Sequence, residues 1–131
     1  MRKIVLILLL SALLLQAEET LQISEFKVSL FSKISKKLVS IETNLIFEGR
    51  DVEVYDFKII DALNVVIGSF YVENLFTSKG KEGLKQAIVN YTRDKYGIDI
   101  DSVYIQKLNI VENTTAKNII DELRREGYIR K

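Results

Sequence analysis

Two neighbouring segments in the first half of the chain alternate apolar and polar side chains. The segments are FKVSLFSKI (26–34) and LVSIETNLIFE (38–48), and a period of two with one polar face is typical of a half-buried antiparallel strand. With Ser35-Lys36-Lys37 as the turn, the pattern predicts a β-hairpin whose apolar face packs under a second layer. The residues on that face are Phe26, Val28, Leu30, Ile34, Val39, Ile41, Thr43, Leu45 and Phe47.

The apolar spacing then changes to the steps of three and four residues that are typical of helices. The segment DVEVYDFKIIDALNVVIG (51–68) predicts a helix that ends at Gly68, although its many β-branched residues favour a strand. The segment TSKGKEGLKQAIVNYTRDKYG (77–97) predicts a second helix, capped by Thr77 or Ser78 and ended by Gly97. The predicted buried stripes are Val52, Tyr55, Ile59, Leu63 and Val66 in the first helix, and Leu84, Ala87, Ile88 and Tyr91 in the second.

A third strand and a last helix follow. The segment SVYIQKLNIVE (102–112) carries apolar residues on both faces, which predicts a strand in a central position. The segment TTAKNIIDELRREGY (114–128) predicts a helix that begins at Thr114 or Thr115 and ends at Gly127. Its predicted stripe is Ala116, Ile119, Ile120 and Leu123. The order β-β-α-α-β-α predicts an α+β fold, with a small antiparallel or mixed sheet packed with helices.

The N-terminal segment MRKIVLILLLSALLLQAEET has the three parts of a secretory signal. Arg2 and Lys3 precede an apolar run over 4–15, and the small residue Ala17 offers a cleavage site. The run is shorter than the roughly 20 residues that cross a bilayer. We therefore expect cleavage after Ala17 and a single periplasmic domain over 18–131. The alternative is a short uncleaved anchor that holds the domain to the inner membrane, facing the periplasm. A buried core helix fits poorly, because no polar face interrupts the run.

The amino-acid composition excludes several kinds of catalytic and metal-binding site. The chain has no His and no Cys, which removes the commonest general base, the softest metal ligands, the thiol nucleophile, disulfides and lipid attachment at the cleavage site. With 19 basic and 18 acidic side chains, bulk charge does not favour nucleic-acid binding. We expect no enzymatic activity, no cofactor and no metal.

Carboxylates are the remaining candidates for catalysis. Asp99 and Asp101 form the densest pair, with Glu112 further along the chain, but a polar turn explains them better than a calcium loop, which needs a longer ladder of ligands and a central Gly. Asp56 and Asp61 lie five residues apart, on different faces of the predicted helix.

The connection between the predicted helices offers a candidate protein interface. SFYVENLF (69–76) is unusually apolar for a connection, so its side chains either pack on the core or present a binding surface. Three lysines then crowd the start of the second helix, where they form a solvated surface, meet an acidic partner or contact anionic lipid headgroups. The candidate interface residues are Phe70, Tyr71, Leu75, Phe76, Lys79, Lys81 and Lys85.

The order of these segments resembles the periplasmic domain of the FliL family, the flagellar basal-body-associated proteins. Residues 26–112 carry the resemblance, through FKVSLFSKISKKLVSIETNLIFE, RDVEVYDFKIIDALNVV, LFTSKGKEGLKQAIVNY and VYIQKLNIVE. The residues that match the family pattern are Asp56, Ile59 and Ile60 in the first helix, and Leu75, Thr77, Gly80, Lys81 and Leu84 in the second segment.

The resemblance implies a stomatin-like α+β domain without catalytic activity. It also implies a homo-oligomer near the stator or basal body that supports flagellar rotation. The chain departs from the family at its N-terminus, where members carry a basic stub, a full membrane helix and a linker, and this chain has almost no linker before Ser24. The helix after Thr115 also extends beyond the family's usual closing strand. A general periplasmic binding or inhibitor module is the alternative function, because fold does not fix function. A carboxylate-dependent hydrolase is the least favoured.

Overall fold

A computed structural model describes residues 18–111 and 114–127, and the side chains of 114–118 are not described. The described part is α+β, with a three-stranded antiparallel sheet and four helices, and the strand order in the sheet is β1-β2-β3. The elements in chain order are β1 (Glu19–Phe31), β2 (Leu38–Gly49), α1 (Asp56–Gly68), α2 (Val72–Leu75), α3 (Ser78–Tyr96), β3 (Ile100–Ile110) and α4 (Thr114–Arg125). The predicted fold class is therefore confirmed at the level of α+β.

The helices cover the face of the sheet that the alternating pattern assigns to the core. Helix α1 contacts β1 and α3, helix α3 contacts β3, and α4 contacts β2. The face of β2 that carries Val39, Ile41, Thr43, Leu45 and Phe47 is buried, as predicted. The largest fully buried side chains that come from the helices are Ile59, Leu63, Ile67, Leu75, Leu84, Ile88, Ile119 and Leu123.

The position predicted for the third strand is wrong, because β2 is the central strand and β3 lies at an edge. The apolar residues on both faces of the sequence pattern have another cause. An extra residue, Gln106, interrupts the pairing of β3 with β2, so that Leu45 pairs with Ile105 while Asn44 pairs with Lys107. Such a bulge shifts the phase of the strand by one residue. Val103 and Ile105 before the bulge, and Leu108 and Ile110 after it, therefore all pack against the core.

Strand β1 begins at Glu19, seven residues earlier than predicted, and it also contains a bulge. Its register with β2 shifts between Ile23 and Phe26, where Glu25 adopts a positive φ of 54° and its N–H donates to Asn44 Oδ1 at 2.7 Å. Because the bulge breaks the alternation of apolar and polar residues, the pattern over 26–34 does not show that the strand begins earlier. Residues 19–23 belong to the sheet, whereas the resemblance places them before the domain.

Helix α1 begins at Asp56, five residues later than predicted. Residues 51–55 form turns, and Asp51 has a positive φ of 64°, which a continuous helix does not allow. Val52 is nevertheless fully buried, whereas Tyr55 is exposed and does not belong to the buried stripe. The apolar spacing thus identifies most of the core contacts but places the start of the helix too early.

Helix α3 has the boundaries that its capping residues predict. The Thr77 side chain accepts a hydrogen bond from the Gly80 N–H at 2.9 Å, and Gly97 ends the helix with a φ of 68°. Leu84 and Ile88 are buried, while Ala87 and Tyr91 are half-buried beside them.

The antiparallel arrangement gives the domain two ends. We call the end with the hairpin loop (32–37) and the connection between α1 and α3 (69–77) the tip. We call the opposite end, with the start of β1, the turns over 50–55 and the turn over 97–99, the base. In the described part of the chain, no helix is long and apolar enough to cross a membrane; the predicted signal segment lies outside that part.

Candidate interaction surface

The apolar connection between α1 and α3 is mostly part of the core. It contains the short helix α2, whose Leu75 is fully buried, and Leu75 is therefore not available to a partner. Phe70 and Phe76 are half-buried and pack against the core cluster. Of the four candidate apolar interface residues, only Tyr71 presents a large exposed fraction, 42%.

A buried carboxylate fixes this connection to the hairpin loop. Glu73, only 5% exposed, accepts hydrogen bonds from the Ser32 hydroxyl at 2.5 Å and from the backbone N–H groups of Lys33 and Ile34 at 3.1 and 3.2 Å. Burial opposes the charged form of Glu73, but these hydrogen bonds outweigh it and lower the pKa of the carboxyl from its ordinary value. No local pattern in the sequence points to this acid, because its partners lie in a loop about 40 residues earlier.

Glu73 brings Tyr71 against the end of the hairpin. The rings of Phe31 and Tyr71 meet edge to face with centroids 6.2 Å apart, and the Lys33 ammonium lies 4.7 Å from the Tyr71 ring centroid. Leu38 pairs with Phe31 across the strands and is 67% exposed, while Phe31 is 42% exposed. We call these four residues, Phe31, Lys33, Leu38 and Tyr71, the tip surface. The sequence alone indicates that Phe31 is exposed, because neighbouring residues of a strand point to opposite faces and Leu30 faces the core.

The three candidate lysines do not form one cluster. Lys81 and Lys85 lie with Lys107 around Glu82, in a shallow groove of about 330 Å³ between α3 and β3, and Lys85 Nζ pairs with Glu82 Oε1 at 3.3 Å. Lys79 instead lines an apolar hollow with Phe70. The crowding seen in the sequence therefore divides into two surfaces, since neighbouring helical positions point in different directions.

The junction of α2 and α3 depends on a glycine. A Cβ atom at Gly80 would lie 1.9 Å from the Asn74 carbonyl oxygen, so any larger residue would force the two segments apart. Thr77 Oγ1 donates to the same carbonyl oxygen at 2.8 Å. Each residue of the motif therefore has a role at this junction. Leu75 and Leu84 fill the core, Thr77 caps α3, and Gly80 permits the close approach of the two segments.

Helix α1 presents a second exposed apolar surface that the sequence analysis did not single out. Phe57, Ile60 and Val65 are 62%, 38% and 47% exposed on the side of α1 that faces away from the buried Ile59 and Leu63. We call these three residues the α1 outer face. The signal in the sequence is that these three apolar side chains lie outside the stripe that the helical spacing predicts to be buried.

The candidate carboxylates have local partners or open surroundings. The Asp56 carboxylate accepts from the Phe57 N–H at 2.7 Å, and Asp61 accepts from the Tyr96 hydroxyl. The bond to Asp61, followed by burial and the charge of Asp61, raises the pKa of Tyr96 to about 12. Asp99 and Asp101 are exposed at the base, and Glu112 lies outside the described residues. Within 18–111 and 114–127, no group of three or more His, Cys, Asp or Glu side chains is placed to hold a metal ion.

Comparison with known proteins does not assign the chain to a family. No protein-family model matches it, and no curated protein matches it either.

Proposed function

We propose that the chain is an exported, non-catalytic accessory protein of the flagellar motor, related to the FliL family. Residues 18–131 form its periplasmic domain, with a stomatin-like fold, after cleavage at Ala17. An uncleaved anchor in the inner membrane is the alternative for localisation. The domain binds stator or basal-body proteins, assembles with further copies of itself, contacts the membrane surface and supports rotation.

The junction of α2 and α3 is the observation that carries this proposal. Four of the five residues that match the family segment occupy positions where the structure requires that kind of side chain, and Lys81 is the fifth. A core residue at 75, a cap at 77, a glycine at 80 and a core residue at 84 together build one particular turn between two helices. The match to the family segment is therefore a match of one turn, in which each residue type has a separate physical reason, and not only of composition.

The surface around this junction supports a role in protein binding. Tyr71 is exposed there, Phe70 and Phe76 are partly accessible, and Lys79 lines the same hollow as Phe70, whereas Lys81 and Lys85 lie in the separate groove between α3 and β3. An exposed aromatic side chain with polar residues at its rim has the composition of a protein interface. Contacts between copies in a ring are heterologous, so this surface would meet a different one on the neighbour.

Deletion of the gene tests the motor role directly. We expect the deletion strain to swim more slowly in viscous medium, where the motor needs more torque, and we expect the intact gene to restore its speed. Normal swimming of the deletion strain at every viscosity would remove the motor function.

A matched pair of tyrosines tests the surface. Tyr71 is 42% exposed at the tip, and Tyr104 is 43% exposed on the outer side of β3. We expect Tyr71→Ser to reproduce the swimming defect and Tyr104→Ser to leave swimming unchanged, with both variants unfolding cooperatively. Equal effects of the two substitutions would show that Tyr71 has no special role.

The α1 outer face favours a second candidate, a general periplasmic binding or inhibitor module. Its three exposed apolar side chains lie on one helix, the geometry that suits a partner lying across it. A photo-reactive side chain at Phe57 should then crosslink to one specific protein of the cell envelope, while deletion of the gene leaves swimming normal. Failure of the crosslink at Phe57 would remove this alternative.

A further inference from the structure

The tip carries basic charge that nothing in its own segments neutralises. The hairpin loop contains Lys33, Lys36 and Lys37, and the only acid within 31–38 and 69–77 is Glu73. Glu73 is buried, and its oxygens accept hydrogen bonds from the loop itself. None of the ion pairs among the described residues includes a lysine of this loop. Within the described residues, the hairpin loop therefore presents three lysines and no exposed acid.

Exposed apolar side chains lie among these lysines. Phe31, Leu38 and Tyr71 are 42%, 67% and 42% exposed, and they are neighbours through the Phe31–Leu38 strand pair and the Phe31–Tyr71 ring contact. Apolar and aromatic side chains interleaved with lysines are typical of segments that lie at a membrane surface, where the rings and aliphatic groups enter the headgroup region.

The base of the domain has the opposite character. Six acids, Glu18, Glu48, Asp51, Glu53, Asp99 and Asp101, gather there against the three basic residues Arg50, Lys58 and Lys95. The two ends are separated by the length of β1, whose 13 residues span about 43 Å at about 3.3 Å per residue. A molecule with this charge distribution turns its tip towards a negative surface and its base away from it.

The Glu73 hydrogen bonds hold the tip in one conformation. The loop is further closed by the Ser32 N–H donating to the Lys37 carbonyl at 2.9 Å and the Lys36 N–H donating to the Ser32 carbonyl at 2.9 Å. A loop that is ordered before it binds loses less conformational entropy on binding. All three basic residues are lysines, whose compact ammonium groups suit a diffuse array of phosphates. Such ammonium groups act as point charges and need no fixed geometry at each phosphate.

We propose that the tip of the hairpin binds the anionic surface of a phospholipid bilayer. Lys33, Lys36 and Lys37 contact lipid phosphates, and Phe31 and Leu38 enter the headgroup region. This inference rests on the proposed export of the domain to a compartment bounded by membrane. It places the membrane contact on the hairpin loop rather than on Lys79, Lys81 and Lys85.

A single fluorescent label can report this contact, because the natural chain contains no cysteine. The full chain with Leu38→Cys, labelled with an environment-sensitive dye, is mixed with vesicles of phosphatidylcholine and phosphatidylglycerol, and in parallel with vesicles of phosphatidylcholine alone. We expect a blue shift with the anionic vesicles and none with the neutral ones. The control is Val54→Cys at the base, where Val54 is 63% exposed, and we expect its emission to be the same with the two kinds of vesicle. The readout is local, so an N-terminal segment that inserts into both kinds of vesicle does not mimic it.

Charge variants of the labelled chain measure the lysine contribution. Each lysine near an anionic surface contributes about 1 kcal/mol, which is about fivefold in affinity, so Lys36→Gln with Lys37→Gln should weaken vesicle binding about 30-fold. The matched control, Arg50→Gln with Lys95→Gln, changes the net charge equally at the base and should have little effect. Raising the salt to about 1 M should abolish the shift, because the Debye length falls to about 3 Å.

Three results would overturn the proposal. The first is an equal shift at position 38 with neutral and anionic vesicles. The second is an equal loss of binding in the tip and base charge variants, which would indicate attraction through net charge alone. The third is a blue shift at position 38 that grows with protein concentration in the absence of vesicles, which would assign the tip to contact with a second copy of the chain. A motility defect in the deletion strain decides none of these, so the motor role and the membrane contact can fail separately.

Discussion

At the scale of single residues, Glu73 makes a stability contribution that depends on pH. Its folded-state pKa is lowered, so the unfolded state takes up the proton first as the pH falls. The stabilisation is therefore fully present above the ordinary value of 4.5 and is lost as the pH falls through the folded pKa. Glu73→Gln removes a charged acceptor of three hydrogen bonds and should cost about 1–3 kcal/mol at pH 7. Urea unfolding at pH 7 and at about pH 3 measures this, and the difference between the two proteins should shrink at the lower pH. A difference that does not change with pH would show that Glu73 does not contribute through its charge.

Two glycines in the first turns of α3 provide a second test at this scale. Gly80→Ala places a Cβ against the Asn74 carbonyl oxygen and should destabilise the domain by about 1–3 kcal/mol. Gly83→Ala on the same helix meets nothing within 4 Å and should stabilise it by about 0.5–1 kcal/mol, because alanine favours helix more than glycine does. Denaturant midpoints of the two variants should therefore move in opposite directions. A shift of both midpoints in the same direction would contradict the close approach at Gly80.

At the scale of the elements, Leu84 attaches α3 to the rest of the core. It is 1% exposed, so Leu84→Ala should cost about 2–5 kcal/mol through lost burial and the cavity left behind. Leu38→Ala makes the same chemical change at a side chain that is 67% exposed, and it should cost well under 1 kcal/mol. Equal midpoints in urea for the two variants would mean that α3 does not pack on the sheet through this face.

Some of the helices and strands could be predicted from the sequence pattern, and others could not. The hairpin, the capped helix α3 and the last helix follow from local signals, since Thr77, Gly97 and the alternation over 38–48 each act within a few residues. The edge position of β3 could not be predicted, because a bulge at Gln106 changes which side chains face the core and imitates a strand that is apolar on both sides. A bulge is defined by the partner strand, so one strand's sequence does not reveal it.

The candidate surface was predictable only in part, for a similar reason. The pattern identified Tyr71, but it could not separate this exposed ring from the buried Leu75 four residues later, since both belong to one apolar run. The partners of Tyr71 at the tip, Phe31 and Lys33, come from a segment about 40 residues earlier, and Glu73 joins the two segments. Contacts between distant segments leave no periodic signal in a single sequence.

At the scale of the whole molecule, the proposed cleavage of the N-terminal segment would place a positive charge at the acidic base. Cleavage after Ala17 would create a free amino group on Glu18, one residue before β1 begins. That site is acidic, and the neighbouring Asp101, together with burial and the negative charge of Glu48, raises the pKa of the Glu18 carboxyl. A positively charged terminus beside these carboxylates relieves their mutual repulsion, so the cleaved chain is better suited to this end than a chain that continues with an uncharged peptide bond.

We therefore expect the exported protein to have the intact mass of residues 18–131 and to be recovered from the periplasm. We also expect chemical acetylation of its terminal amine to lower the denaturant midpoint, and this loss should be smaller in Asp101→Asn, where the acidic surroundings are weaker. Lysine side chains react as well, so the comparison uses a mild pH at which the α-amino group, with its pKa of about 8, reacts first. Recovery of Met1 in the membrane fraction would contradict cleavage. An unchanged denaturant midpoint on acetylation would not contradict cleavage after Ala17. It would show that the charge of the terminal amine does not stabilise the base.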